Sequence, residues 1–457
     1  MNETTDAMMD PGAIVRIGPA AWRVWLAWAL ILLALGYCAV DAALEKQKLG
    51  PGHVSFAQEE ISGKVALGTF FLKGGARDGT DDKLVQSISE NAKTPAGMIR
   101  AAIVLGELKG ADAAITMLAN VPKEADARVV EDGRTLTTFY AGGAAARLSP
   151  DDQSRLAKHY GWFAEVAAAF GKSEDDAGRK AVEAGAIRTA VGGVATVLLA
   201  IGGVLAGLVL FVVAMVLLKI KKIRPQYQAA ARDAVAVALL ESFALYLVAM
   251  ALLHLGTDWF RTEAWRIWVY WSVMLALLPA ALVYAWLSGG NWGEVQRRLG
   301  ISRGRGLFWE IGCGVAGYVA GLPVVAVGVL TTFLLASWAH VDTSHPIDDA
   351  VVGATPWRWA FLFALACVMA PLTEELMFRG ALFGWMRGKW GWLVSTCVVS
   401  FIFAALHPQG WAAIPVLASI GAVLAAIREW RGTIFASMTA HALHNGITMC
   451  VLMVMVG

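Results

Sequence analysis

Two adjacent carboxylates, Glu374 and Glu375, stand in the otherwise apolar stretch APLTEELMFRG at 370–380, with Arg379 one helical turn further on. The run from Trp357 to Trp385 exceeds the roughly 20 apolar residues that cross a bilayer, which places both carboxylates inside the membrane. A charge there costs roughly 2.5–3.5 kcal/mol even on lenient insertion scales, so intramembrane ionisable residues mark functional sites by default. Glu375 and Arg379, four residues apart, share a helix face and can pair. Glu374 is turned about 100° away from Glu375 and has no partner on its own helix. One arginine neutralises one carboxylate, so the cluster is more than an ion pair fixing a helix crossing. It leaves Glu374 as a desolvated base suited to proton transfer.

Two later stretches supply partners. His407 ends the apolar run FIFAALH (401–407), and HALHN (441–445) places His441 and Asn445 one turn apart. Taken singly, either histidine reads as an interfacial residue satisfied by its surroundings. An imidazole and an amide on one face, however, make a donor pair for an oxyanion. His444, off that face, reads as supporting, and Glu241 and Glu310 read as structural. Together EExxxR (Glu374, Glu375, Arg379), FxxxH (Phe403, His407) and HxxxN (His441, Asn445) resemble the signature of the CPBP family, the CAAX-prenyl-protease and bacteriocin-processing intramembrane peptidases. The resemblance covers about the last hundred residues. It implies that Glu374 and His407 activate a water, that His441 and Asn445 hold the tetrahedral oxyanion, and that Glu375 and Arg379 support them. It also implies a choice over metal. Water activation without a cofactor is the preferred reading, because HExxH is missing; zinc held by Glu374, His407 and His441 is the alternative.

The elements that must position these groups belong to a membrane protein. With 57% hydrophobic residues, 16% charged and a mean hydropathy of +0.57, the chain departs far from soluble composition. A net charge of +2 gives no reason to expect nucleic acid as a partner. The five cysteines lie in apolar segments without a CxxC pair and read as packing residues. The first apolar run lacks a clear small-x-small cleavage site and reads as a retained anchor.

Nine spans are expected: Trp22–Leu44, Ala186–Leu218, Asp233–Leu255, Trp265–Leu287, Ile311–Trp338, Trp357–Trp385, Trp392–Leu406, Trp411–Ile427 and Ile434–Val456. Basic clusters at Lys219–Arg224, Arg297–Arg305 and Arg387–Lys389 alternate with the aspartate-bearing loop 339–356, which orients every span by the positive-inside rule. The fold class is an all-α polytopic membrane protein with a helical extracytoplasmic insert. Residues 1–21 form a cytoplasmic N-terminal segment, 22–44 an anchor and 45–185 the soluble helical domain. Residues 186–308 hold spans two to four with a cytoplasmic loop, and 309–457 form the peptidase-like core. Within the insert, Ser149-Pro150 and Ser173-Glu174 read as helix starts.

The expected activity is intramembrane endopeptidase cleavage of a membrane-associated protein or peptide. The location is a bacterial inner membrane, with the N-terminus cytoplasmic and the C-terminus outside. The rival is a non-proteolytic membrane scaffold or regulator whose extracytoplasmic domain binds a protein partner.

Overall fold

The structure is a computed structural model describing residues 19–49, 54–76, 82–143, 146–229, 233–257, 263–289 and 291–457. Most of the expected N-terminal cytoplasmic segment, 1–18, lies outside the described residues. Among the described residues all regular structure is helical.

The first long helix, α1 (Pro19–Leu49), is followed by short helices whose starts are written in the sequence. Ser55 caps α2 (Phe56–Leu72) by accepting the Gln58 N–H. After α3 (Asp82–Asn91), Thr94 caps α4 (Pro95–Lys109), with proline in the first turn where its missing N–H costs nothing. Gly110 then joins α4 to α5 (Ala111–Leu118) at φ 103°, a backbone angle that glycine adopts without a steric penalty. Asp126 caps α6 (Ala127–Ala141), and Ser149 caps α7 (Pro150–Tyr160), which leads into α8 (Trp162–Ala169). Ile99, Ile103, Leu108, Leu136 and Leu156 are fully buried in the core these helices share, with α4 at its centre.

The other expected start moves. The next helix, α9 (Ala177–Lys219), begins after Asp176, whose carboxylate accepts the Arg179 N–H at 3.0 Å, while Ser173 lies in the preceding turn. Aspartate in the capping position outcompetes a serine three residues too early. The helix then runs 43 residues without a break. The expected boundary at 185/186 therefore falls inside it, because polar residues give way to apolar ones there with no proline or turn residue to stop the helix.

The remaining elements are α10 (Ala234–Thr257), α11 (Glu263–Gly289), α12 (Trp292–Leu299), α13 (Leu307–Ala339), α14 (Pro346–Val351), α15 (Pro356–Arg387), α16 (Trp392–Ala405), α17 (Ile414–Arg431) and α18 (Phe435–Val456). Among the described residues seven helices are long and apolar enough to cross a membrane, in α1, α9, α10, α13, α15, α17 and α18. Two shorter apolar segments, Leu275–Gly289 and Trp392–Ala405, match the two other expected spans. Leu199 is 77% exposed and Phe333 65%. Such surfaces belong against lipid, and the chain is an integral, multi-pass membrane protein.

The segment bearing the two glutamates is at the centre of the bundle. Met377, Leu382 and Phe383 of α15 are fully buried with Leu240 and Phe243 of α10 and Val399 of α16. The helical unit α2–α8 sits on the end of the bundle formed by α14 and the C-terminal end of α18. Ala57 N–H donates to Asp349 at 3.0 Å and Lys64 to the Val456 carbonyl at 2.6 Å, while Thr189 of the adjoining α9 donates to the Met455 carbonyl at 3.2 Å. Lys64 is buried, and its pairing with Glu60 at 2.8 Å keeps that docking contact from leaving a lone charge.

Candidate active site

The helix α15 is not a regular α-helix. It widens to π geometry at Leu365–Met369 and again at Glu375–Leu382, with a single α turn between that carries Glu374. Each π turn holds one residue more than an α turn and presents backbone carbonyls to side chains from elsewhere; such turns recur at functional sites. Here the Ala366 carbonyl accepts from Asn445 Nδ2 at 2.7 Å, and the Arg379 carbonyl accepts from Arg428 Nε at 3.3 Å.

Glu375 and Arg379 are wholly buried and bonded to one another, Arg379 Nη1 donating to Glu375 Oε1 at 2.9 Å. The second guanidinium nitrogen donates to the Gly421 carbonyl at 3.2 Å. His441, from α18, meets the same carboxylate: its Nδ1 lies 3.0 Å from Glu375 Oε1. A carboxylate oxygen accepts, so Nδ1 carries the proton. The other ring nitrogen, Nε2, lies 3.8 Å from Glu374 Oε2, too long for a direct hydrogen bond. That oxygen is buried and makes no hydrogen bond with any described residue, although the side chain as a whole is 23% exposed.

His407 completes the cluster from the end of α16. Its Nδ1 donates to the Phe403 carbonyl at 2.6 Å, which leaves Nε2 as a free acceptor. The Phe403 ring is the spacer that holds the group apart. Arg379 stacks on it at 4.5 Å, His407 tilts against it at 4.5 Å, and His441 meets it edge-on at 6.0 Å. A buried cation over a ring face gains electrostatic attraction that a leucine would not provide.

The structure therefore brings Glu374, Glu375, Arg379, His407 and His441 together around Phe403. Asn445, one turn beyond His441, has one amide N–H engaged by Ala366, and its other N–H makes no bond with the described residues. His444 donates to or accepts from Tyr318 Oη at 3.1 Å and stands behind the site. Glu241 pairs with Arg23 and Tyr284, and Glu310 with Arg431 at 2.7 Å, so each finds the partner its own helix lacked. Among the described residues no group of three or more His, Cys, Asp or Glu is arranged to hold a metal ion. Glu374, His407 and His441, the alternative zinc set, do not form such a group among the described residues, and no step below is routed through a metal.

Three participants escaped the sequence reading. Phe403 was visible as a motif position but not as a spacer, and Arg428 gave no signal beyond its charge. His345 caps α14, its Nδ1 accepting the Ile347 N–H at 3.0 Å while Asp348 accepts the His345 N–H at 2.9 Å. Burial, and after it the neighbouring His407, holds His345 at a pKa of about 4. The strap from 340 to 355 thus runs over the His407 end of the bundle.

Residues 356–447 match the family model described as type II CAAX prenyl endopeptidase Rce1-like, a span that includes every motif residue named above. No curated protein and no solved structure matches the chain. At the family level this indicates a CAAX-protease type of intramembrane enzyme acting on membrane-associated substrates. Residues 356–447 are thus similar to the Rce1-like CAAX prenyl endopeptidases, a match that supports the resemblance to the CPBP family.

Proposed function

We propose that the protein is an intramembrane endopeptidase that hydrolyses a peptide bond of a membrane-associated protein or peptide. The observation that carries this reading is the buried, unbonded Glu374 Oε2 facing His441 Nε2 across 3.8 Å. A carboxylate oxygen buried without a hydrogen-bond partner carries a cost that a purely structural role does not explain. Glu374 takes a proton from a water that His407 Nε2 holds as acceptor, and the hydroxide attacks the scissile carbonyl. His441 donates its Nδ1–H to Glu375, and a proton on its Nε2 would be directed at the oxyanion. The second N–H of Asn445 joins it. Arg379 keeps Glu375 charged and in place, which fixes the ring of His441. Glu374 then passes its proton to the leaving amine.

On the positive-inside reading the Arg387 end of the bundle faces the cytoplasm and the His407 end, with the α2–α8 unit, lies outside a bacterial inner membrane. Substrate then reaches the site from the side that this unit covers, and a protein partner of the unit would meet substrate there.

The test is a cleavage assay on reconstituted protein with candidate membrane substrates. Wild type cleaves; Glu374→Gln, folded by thermal melt, does not. Cleavage by folded Glu374→Gln would remove Glu374 as the base, and no cleavage by wild type would favour the scaffold reading, in which the docked helical unit is the working part.

A further inference from the structure

At the end of the bundle away from His407, the segment 225–229, the α12–α13 loop and the C-terminal ends of α15 and α17 enclose a cavity of about 160 Å³. A water needs only roughly 10–15 Å³ of such space, so the cavity admits a polyatomic group. Three arginines, Arg297, Arg298 and Arg428, contribute to its lining, which holds no Asp or Glu.

Arg428 is 1% exposed and lies over the Tyr227 ring at 4.9 Å. Its Nε, Nη1 and Nη2 donate to the backbone carbonyls of Arg379, Gly432 and Arg298, and among the described residues it has no carboxylate partner. The nearby carboxylates are taken. Glu294 bonds both Arg297 and Arg298, Asp233 bonds Arg298 at 2.5 Å, and Glu429 bonds Arg387 at 2.8 Å. Four guanidiniums therefore share three carboxylates, and the unmatched charge is the most buried one. Carbonyl dipoles hold a guanidinium in place but do not neutralise it, and a buried charge without a counter-ion is expensive.

We propose that this cavity is a binding site for a phosphate group, with the phosphodiester of an anionic lipid headgroup as the source that its place at the membrane–water boundary favours. Arginine presents several N–H donors in a plane that suits phosphate oxygens. Basic pockets between spans on the cytoplasmic side are where anionic headgroups bind. Gln228 and Ser302, also in the wall, add polar groups of the right reach. The cavity is too small for a peptide helix or a nucleotide.

The experiment uses the full chain in neutral detergent, titrated with phosphatidylglycerol, with phosphatidylcholine, and with inorganic phosphate against chloride at equal ionic strength, reading thermal unfolding. Two variants at the rim carry the test: Gln228→Glu sets a negative charge in the wall, and Arg297→Gln removes a positive one. Both side chains are exposed, so the ligand-free Tm stays at the wild-type value. Phosphatidylglycerol should raise the wild-type Tm saturably, and each variant should weaken the apparent affinity by about tenfold, the effect of one close charge worth ~1.4 kcal/mol. An equal, variant-sensitive rise with inorganic phosphate alone supports the phosphate site and assigns free phosphate as its source. No saturable rise with either ligand, or a rise that Gln228→Glu leaves intact, overturns the proposal and leaves Arg428 as a tie between loops.

Discussion

Glu374 and Glu375 are chemically identical neighbours, and the structure gives them opposite surroundings. Glu375 is bonded to Arg379 and His441 with no exposure, so Glu375→Gln leaves a buried guanidinium uncompensated. Breaking such a pair costs about 3–5 kcal/mol, and the variant should melt well below wild type. Glu374→Gln removes an unbonded carboxylate, so its Tm should equal or exceed wild type while turnover vanishes. Thermal melts of the two side by side check the contrast; equal losses of stability would mean that Glu374 is part of the same structural cluster. Phe403→Leu tests the spacer. It keeps an apolar side chain but loses the stacked cation, worth about 1–2 kcal/mol in a desolvated site. With His407 and His441 no longer held apart, turnover should drop at least as far as stability allows, and unchanged turnover would remove Phe403 from the site.

The strap residues titrate in opposing senses. Burial raises Asp348 to a pKa of about 6, so its contribution is full at low pH and lost as pH rises towards 6. His345, depressed to about 4, contributes fully above its ordinary value and loses that contribution as pH falls. In wild type the two slopes offset one another between about pH 4 and 6.5. Asp348→Asn keeps an acceptor for the His345 N–H and removes one slope, so its Tm should climb with pH across that window more steeply than wild type. Parallel curves would show that the Asp348 carboxyl titrates in the folded protein as it does in the unfolded chain.

At the scale of elements, spacing made much of the site legible and packing made the rest. Glu375–Arg379 followed from a four-residue interval, and His441 and Asn445 from another, because helical repeat alone sets those faces. The two π turns in α15 did not follow. Nothing in LACVM or ELMFRGAL demands them; they persist because Asn445 and Arg428 satisfy the carbonyls they expose, and both donors are more than 40 residues away in sequence. Nor did α9 announce its length, since no breaker separates its polar beginning from its apolar continuation. Deleting Val368 should test the first π turn. The helix would close to α geometry, turning Pro356–Ala364 by about 100° against Glu374 and withdrawing the Ala366 carbonyl from Asn445. Activity should be lost with the protein still folded, as read by the cleavage assay and a thermal melt; an active deletion would show that the π turn is incidental.

For the whole molecule, composition dictated a helical polytopic membrane protein, and among the described residues all regular structure is helical, with seven membrane-length apolar helices and two shorter apolar ones where nine spans were expected. The docking of α2 on the carbonyl of Val456 adds something the sequence did not offer, namely that the helical unit and the chain's C-terminal end share one face of the bundle. Reporters fused after Gly457 and near Gly110 should therefore be active in the same compartment, outside the cytoplasm. Opposite responses would overturn the packing of α2 on α18, and activity of both only in the cytoplasm would reverse the assigned orientation.

The 43 unbroken residues of α9 make a rod about 65 Å long at 1.5 Å per residue, against a hydrocarbon layer of roughly 30 Å. About half of it stands clear of the lipid, and the α2–α8 unit is packed along that half. The unit is therefore mounted like the head of a mast, without a hinge. Its tilt is the tilt of the membrane helix below it, so anything that grips the head applies a torque directly to the wall of the bundle that α13 lines.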